Sequence, residues 1–321
     1  MQTGTRSAYQ SGFCVVALLV LLTLAAGAQR MAAQSSDGTP SAAIPTGDGS
    51  WPEIHLNVVV TDKHGAPQKI DQQTFHLFED GVERPLHFPE PADSPVSLAL
   101  LIDSSGSIFK RKAEILSAVT TILHALPADS EVMGVLFAEN AYIDLPLTPV
   151  SNVDFSFLDR LQANGKTALW DAVVATENHL VAHGKYARKA LVLLSDGEDN
   201  ASVLTGAMTL RRVLQPGAPT IYTCRVYDKP NILNSDAEAA SIHGRKVLKF
   251  LAEEGGGFEF NLEPDPDAVA TQIVAAIRSQ HVLQFTAADP TRNGKIHKLV
   301  VRLPVKDVRI DAPPAYFAPK K

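Results

Sequence analysis

Two short stretches of this 321-residue chain place oxygen side chains where they could do chemistry. In the first, Asp103-Ser104-Ser105-Gly106-Ser107 directly follows the apolar run VSLALLI (96–102) and puts side-chain oxygens at positions 103, 105 and 107. In the second, Ser195-Asp196-Gly197-Glu198-Asp199 closes the apolar run ALVLLS (190–195). Between them, Gly165-Lys166-Thr167 leads into a helical stretch and adds a third hydroxyl. Carboxylate and hydroxyl oxygens suit a hard cation, Mg2+ or Mn2+ with Ca2+ as a further option, and no His or Cys spacing for zinc lies nearby. Asp103, Ser105, Ser107, Thr167 and Asp196 are therefore the candidate metal ligands. Two carboxylates and three neutral hydroxyls leave an exchangeable position on such an ion, which invites an acidic group from a partner. Each residue alone could instead cap a helix, as Ser, Thr and Asp commonly do. The alternate spacing together with a matched second strand end favours the joint reading.

The elements that must position these residues can be read from periodicity. Residues 96–102, 131–138, 190–195 and 220–227 are near-continuous apolar runs, the sign of strands covered on both faces. Residues 141–148 read as an edge strand limited by Pro146, and FEFN (258–261) as a short strand. Helical patterns lie between them: one with Ile115, Val119, Ile122 and Leu126 on a single face, then 168–184, 208–215, 246–257 and 266–280. Strands alternating with helices from 96 to 280 imply right-handed crossovers and a doubly wound, mostly parallel α/β sheet with helices on both faces. Ligands of such sheets bind outside the carboxyl ends of the strands, where Asp103 and Asp196 fall.

The flanks have a different period. Residues 54–61, 74–79 and 83–88 alternate as strands around the turns at DKHGAPQ and Asp80-Gly81. After 280 the chain returns to strands, at 281–288 and 295–303. The expectation is one small β-module, completed by pairing 54–88 with 281–303. The expected organisation is 1–28 signal peptide, 29–50 flexible leader, 51–94 N-terminal β-strands, 95–280 α/β domain and 281–321 C-terminal β-strands.

Composition narrows the class. The chain is 45% hydrophobic and 20% charged, ordinary for a globular protein. Its net charge is −6, from 29 basic and 35 acidic residues, and no basic patch is visible, so nucleic acid is not an expected partner. Residues 13–26, FCVVALLVLLTLAA, form an apolar run of 14 before Ala26-Gly27-Ala28. That is short for a membrane span, which needs about 20 residues, and suits a cleaved secretory signal; the alternative is an uncleaved N-terminal anchor. A periplasmic or secreted location follows, with membrane contact only through that segment. Cleavage leaves Cys224 as the single cysteine, in a strand, where it reads as a small buried hydrophobe.

Asp103-x-Ser105-x-Ser107, Thr167 in GKTALWDA and Asp196 in LLSDGEDN resemble the metal-ion-dependent adhesion site of the von Willebrand factor type A domain. The resemblance covers about 95–280, and all five positions match. The wider chain is similar to exported, acidobacterial-type bacterial proteins with this domain. It shares their VTDxxG and FxLFEDG stretches (Val60 to Gly65, Phe75 to Gly81), and more weakly their ending, with Ala315 where Gly is usual. The resemblance implies that Ser105, Ser107 and Thr167 contact the metal by hydroxyl and that Asp103 and Asp196 do so directly or through water. A carboxylate from a bound protein, an Asp or Glu side chain, would complete the shell. Adhesion and protein binding are then the expected function.

Enzyme readings rank lower. A phosphatase of the D-x-D type needs a carboxylate where Ser105 stands, and a two-metal hydrolase needs more carboxylates than this set holds. The nucleophile elbow, the phosphate-binding P-loop and the HExxH zinc motif are absent. Glu198 and Asp199 read as solvated acids at a helix start, His179 with His183 as a solvated helix face, and Gly255-Gly256-Gly257 as a helix end. A metal-dependent hydrolase and a structural envelope component with a vestigial site are the alternatives.

Overall fold

The computed structural model describes residues 53–318 apart from 64, 69, 92, 163, 227–234 and 289–293. The expected signal segment and leader, 1–28 and 29–50, lie outside the described residues. So do His64 and most of the turn before Lys295.

Six strands form the central sheet: β4 (Ser97–Asp103), β5 (Glu131–Phe137), β6 (Ala141–Pro149), β7 (Lys189–Ser195), β8 (Thr220–Arg225) and β9 (Glu259–Asn261). Their order is β6-β5-β4-β7-β8-β9, and all pairs are parallel except β5 with β6. The edge position of β6 follows from its sequence, since Pro146 and Pro149 cannot donate to a second ladder. Five helices accompany the sheet: α1 (Lys112–Ala125), α2 (Leu169–His183), α3 (Gly206–Val213), α4 (Ser235–Glu254) and α5 (Pro266–Arg278).

Side chains of the buried strands alternate between two cores. Leu98, Leu100 and Ile102 of β4 join Val192 and Leu194 of β7 under α1 and α5 through Ile115, Val119, Ile122, Ile273 and Ile277. Ala99 and Leu101 join Leu191 and Leu193 on the other face under α2 and α4, with Leu169, Val173, Leu180, Leu248 and Leu251. A strand apolar at every position is thus the local consequence of helices on both sides.

The flanking strands pair as two antiparallel sheets. β1 (Glu53–Asp62) lies between β10 (His281–Thr286) and β12 (Val308–Asp311). In the second sheet the order is β13-β11-β2-β3, from β13 (Ala315–Phe317), β11 (Ile296–Arg302), β2 (His76–Glu79) and β3 (Val82–Arg84). Ile54, Leu56, Val58 and Val60 meet Leu77, Leu283, Phe285, Leu299 and Tyr316 in one core between these sheets. Val59, on the opposite face of β1, packs into the α/β core instead. Contact between 54–88 and 281–303 is therefore direct, in the registers Ile54 with Phe285 and Val301 with Leu77.

Several expectations need correction. The third N-terminal strand ends at Arg84, and beyond it only His87 bridges to Gln284. β12 and β13 carry too short a periodicity to be read from sequence. α4 begins at Ser235, eleven residues before the expected start at 246, because its first half is too polar to show an apolar stripe. A 3-10 stretch, Gly106–Arg111, precedes α1.

One buried charge ties the segment entering β4 to the end of α5. Arg188, 1% exposed, donates to the Ile277 and Arg278 carbonyls at 2.6 and 2.9 Å and to the Ser94 carbonyl. It thereby closes the last turn of α5, where a cation is favoured by the helix dipole.

Candidate functional site

Asp103 is the last residue of β4, and Ser195, just before Asp196, is the last of its neighbour β7. Pairing of Ile102 with Leu194 brings the two aspartates out at the same edge of the sheet. Asp103 is fully buried. Its Oδ1 accepts from the Ser105 N–H at 2.8 Å, and its Oδ2 accepts from the Ser195 hydroxyl at 2.6 Å. The Ser105 and Ser107 hydroxyls are 3.1 Å apart. Burial, and after it the negative charge of Asp196, push the Asp103 carboxyl up to about 7, against hydrogen bonds from Ser105 and Ser195 that lower it.

Thr167, also buried, lies in the third loop, two residues before α2. That loop is joined to the first where Gly106 N–H donates to the Gly165 carbonyl at 3.3 Å and Asn164 N–H to the Ser104 carbonyl at 2.8 Å. It is joined to the second through Asn200, whose side-chain oxygen accepts from Thr167 N–H at 2.8 Å. In return, Asn200 and Ala201 N–H donate to the Thr167 carbonyl at 2.9 and 3.0 Å. The five sequence-selected residues thus stand on three loops bonded to one another at one end of the sheet.

Four neighbours escaped the reading of the sequence. Ser195 bridges Asp103 to Gly197, accepting from the Gly197 N–H at 3.0 Å. Asp199 does not begin a helix, because α3 starts only at Gly206; its Oδ1 accepts from Leu169 N–H of α2 at 2.9 Å. Asn200 and Asp171 are the others, both explained by pairing across a long sequence gap. The Ser-Asp-Gly-Glu-Asp-Asn run was the available signal, since its polar density exceeds what one turn needs.

The Asp196 loop has little freedom. Gly197 has φ +84°, and an added Cβ would lie 2.2 Å from the Gly244 carbonyl oxygen of α4. A Cβ on Gly244 would lie 2.3 Å from the Asp196 carbonyl oxygen. Glycine at both positions lets helix and loop backbones touch.

On the opposite side, Ser104 and Gly165 form one wall of an open cleft of about 550 Å3, with Glu139, Asn140, Tyr142 and Asn164 among its lining. Among the described residues, no group of three or more His, Cys, Asp or Glu side chains could hold a metal. The candidate set is of another kind, two carboxylates with three hydroxyls. The His179 and His183 rings lie 4.4 Å apart on α2, tilted by 45°, and no third such ligand joins them among the described residues.

Residues 98–198 match the von Willebrand factor type A domain family, a stretch that includes all five candidate ligands. Among solved structures, a von Willebrand factor type A protein from Catenulispora acidiphila is 12% identical with a TM-score of 0.46, covering 84% of this chain and 70% of that one. Manganese-loaded TRAP protein of Plasmodium vivax is 14% identical with a TM-score of 0.44, covering 71% of this chain and 97% of its own. An aerotolerance-related membrane protein from Bacteroides fragilis, mutated to serine at multiple positions, is 17% identical with a TM-score of 0.39, over 57% and 98% of the two chains. No curated protein sequence matches significantly. The chain contains a von Willebrand factor A-like α/β fold, with a mostly parallel six-stranded sheet, and adds separate antiparallel sheets built from its N- and C-terminal strands.

Proposed function

We propose that this chain is an exported protein-binding module that captures an acidic side chain of its partner through a divalent cation. Asp103, Ser105, Ser107, Thr167 and Asp196 would hold the ion, Mg2+ or Mn2+ before Ca2+. The observation that supports this is geometric: Asp103 and Asp196 leave the same ends of the neighbouring parallel strands β4 and β7, and the Thr167 loop is hydrogen-bonded to the loops that follow both. A divalent ion there would offset both charges, and the paired hydroxyls of Ser105 and Ser107 suit a hard cation. With its two negative charges balanced, such a site takes a third carboxylate from outside, which is the chemistry of adhesion. We assign no hydrolytic role, because Ser105 stands where a phosphatase would need its second carboxylate.

Isothermal titration of the metal-free protein with Mg2+ or Mn2+ tests this reading. Wild type should bind one ion, and Asp103→Ala and Thr167→Ala should each abolish the heat. Wild type that binds neither ion overturns the proposal. Domain boundaries at 94/95 and 280/281 belong to the same proposal, as does removal of residues 1–28 on export.

A further inference from the structure

The first turn of α2 has no cap of its own: Ala168 stands at the N-cap position and offers no side-chain acceptor. The loop that follows Asp196 supplies the cap from 30 residues away. Asp199 Oδ1 accepts from Leu169 N–H at 2.9 Å and from the Ser202 hydroxyl at 2.5 Å, and the Ser202 oxygen accepts from Asp171 N–H at 3.3 Å. Asp171, in the third position of the helix, reaches back and accepts from Val203 and Leu204 N–H at 2.9 and 2.8 Å. This is the reciprocal logic of a capping box, built between two distant segments. Asn200 completes it by holding Thr167 on both sides, its side-chain oxygen accepting from Thr167 N–H and its own N–H donating to the Thr167 carbonyl.

We infer that Asp199, Asn200 and Asp171 are positioning residues. They hold the Thr167 loop and the Asp196 loop in one fixed relation, and so set the tightness and selectivity of the cation site. The inference rests on the cation reading given above. The physical reason is that Thr167 and Asp196 belong to different crossovers and share no ladder, so their separation depends on the bonds that tie loop 199–204 to the start of α2. Mg2+ demands near-ideal octahedral geometry, whereas Ca2+ accepts irregular shells. Loosening this clasp should therefore penalise Mg2+ more than Ca2+.

The test uses the full chain, titrated with Mg2+ and separately with Ca2+, alongside amide exchange of the metal-free protein. Asn200→Ala and Asp199→Ala should weaken Mg2+ binding by about tenfold, the usual cost of losing an outer-shell partner, with a smaller loss for Ca2+. Exchange at Leu169 should rise in Asp199→Ala, and Asp199→Asn, which keeps an acceptor oxygen, should restore both readouts. A merely structural role would lower the melting temperature and weaken both ions equally; that result, or wild-type Mg2+ affinity in both alanine variants, overturns the inference. If wild type itself takes no Mg2+, the cation reading falls and the positioning role falls with it.

Discussion

Asp103 and Glu177 are acids that the fold buries without a full counter-charge, and each predicts a pH dependence of its own. Burial and the neighbouring charge of Asp196 hold the Asp103 carboxyl above the usual carboxylate range, so its carboxylate becomes more available as pH rises. Mg2+ binding should strengthen from pH 6 to pH 8, and titrations at both values check it; Ser105 and Ser107 alone would give no such trend. Glu177 is 1% exposed on α2, and its Oε2 has no partner among the described residues. Burial pushes its carboxyl up to about 7, against the lowering pull of Arg212. A raised carboxyl pKa means the folded state holds its proton more tightly than the unfolded chain. That stabilisation is complete below the unfolded value near 4.5 and is lost as pH rises through about 7. Glu177→Gln should therefore flatten the fall in stability between pH 5 and 8 and, at pH 8, raise the unfolding free energy over wild type by at most about 3 kcal/mol.

Arg188 and Gly244 predict what single elements tolerate. Arg188→Met removes the guanidinium donor of the Ile277, Arg278 and Ser94 carbonyls, of which Ile277 keeps the Gln280 N–H at 3.3 Å. Its expected cost is roughly 3 kcal/mol, measured by denaturant unfolding, because three carbonyls lose a charged donor at once. Gly244→Ala drives a methyl group against the Asp196 carbonyl oxygen, which is backbone and cannot rotate away. Helix α4 or the Asp196 loop must shift, at an expected cost of about 1–3 kcal/mol. Wild-type stability in Gly244→Ala would show that helix and loop do not meet as closely as the 2.3 Å approach to the Asp196 carbonyl oxygen requires. Since that loop holds Asp196, the same variant should also weaken Mg2+ binding.

Across the molecule, the β-sheets are held by strands far apart in the chain, so they cannot form from either end alone. Glu79, fully buried, accepts from Arg84 Nε and Ala288 N–H, both at 2.8 Å, and from the Tyr316 hydroxyl. Three segments of the sequence thus converge on one carboxylate. Tyr316→Phe removes one donor and should cost about 1–2 kcal/mol in thermal or urea unfolding. Deletion of 304–321 removes β12 and β13 together, leaving half of β1 and one side of β11 unpaired. That truncation should show a markedly lower melting temperature and new proteolytic cleavage within 53–88. The α/β core also loses support when these strands go, because Val59 of β1 packs into it.

Periodicity marked out the inner strands of the central sheet, since strands covered on both faces must be apolar throughout their middles, as β4 is over 98–102 and β7 over 190–194. Four of the five candidate ligands, Asp103, Ser105, Ser107 and Asp196, stood out for a related reason: they lie at or just past the ends of those apolar runs, where a doubly wound sheet opens to solvent, while Thr167 was picked out only by its place before a helix. The first half of α4 and the strands β12 and β13 were not legible, being too polar or too short to show a period, and they form because partners already exist for them. Asp199 shows the same limit at the site. In sequence it resembles any solvated acid, and its role as the cap of α2 exists only once β7 lies beside β4 and their following loops meet. Local pattern records which face of an element is buried, while bonds between segments 30 or more residues apart, such as Asp199 to Leu169, come into being only with the packed chain.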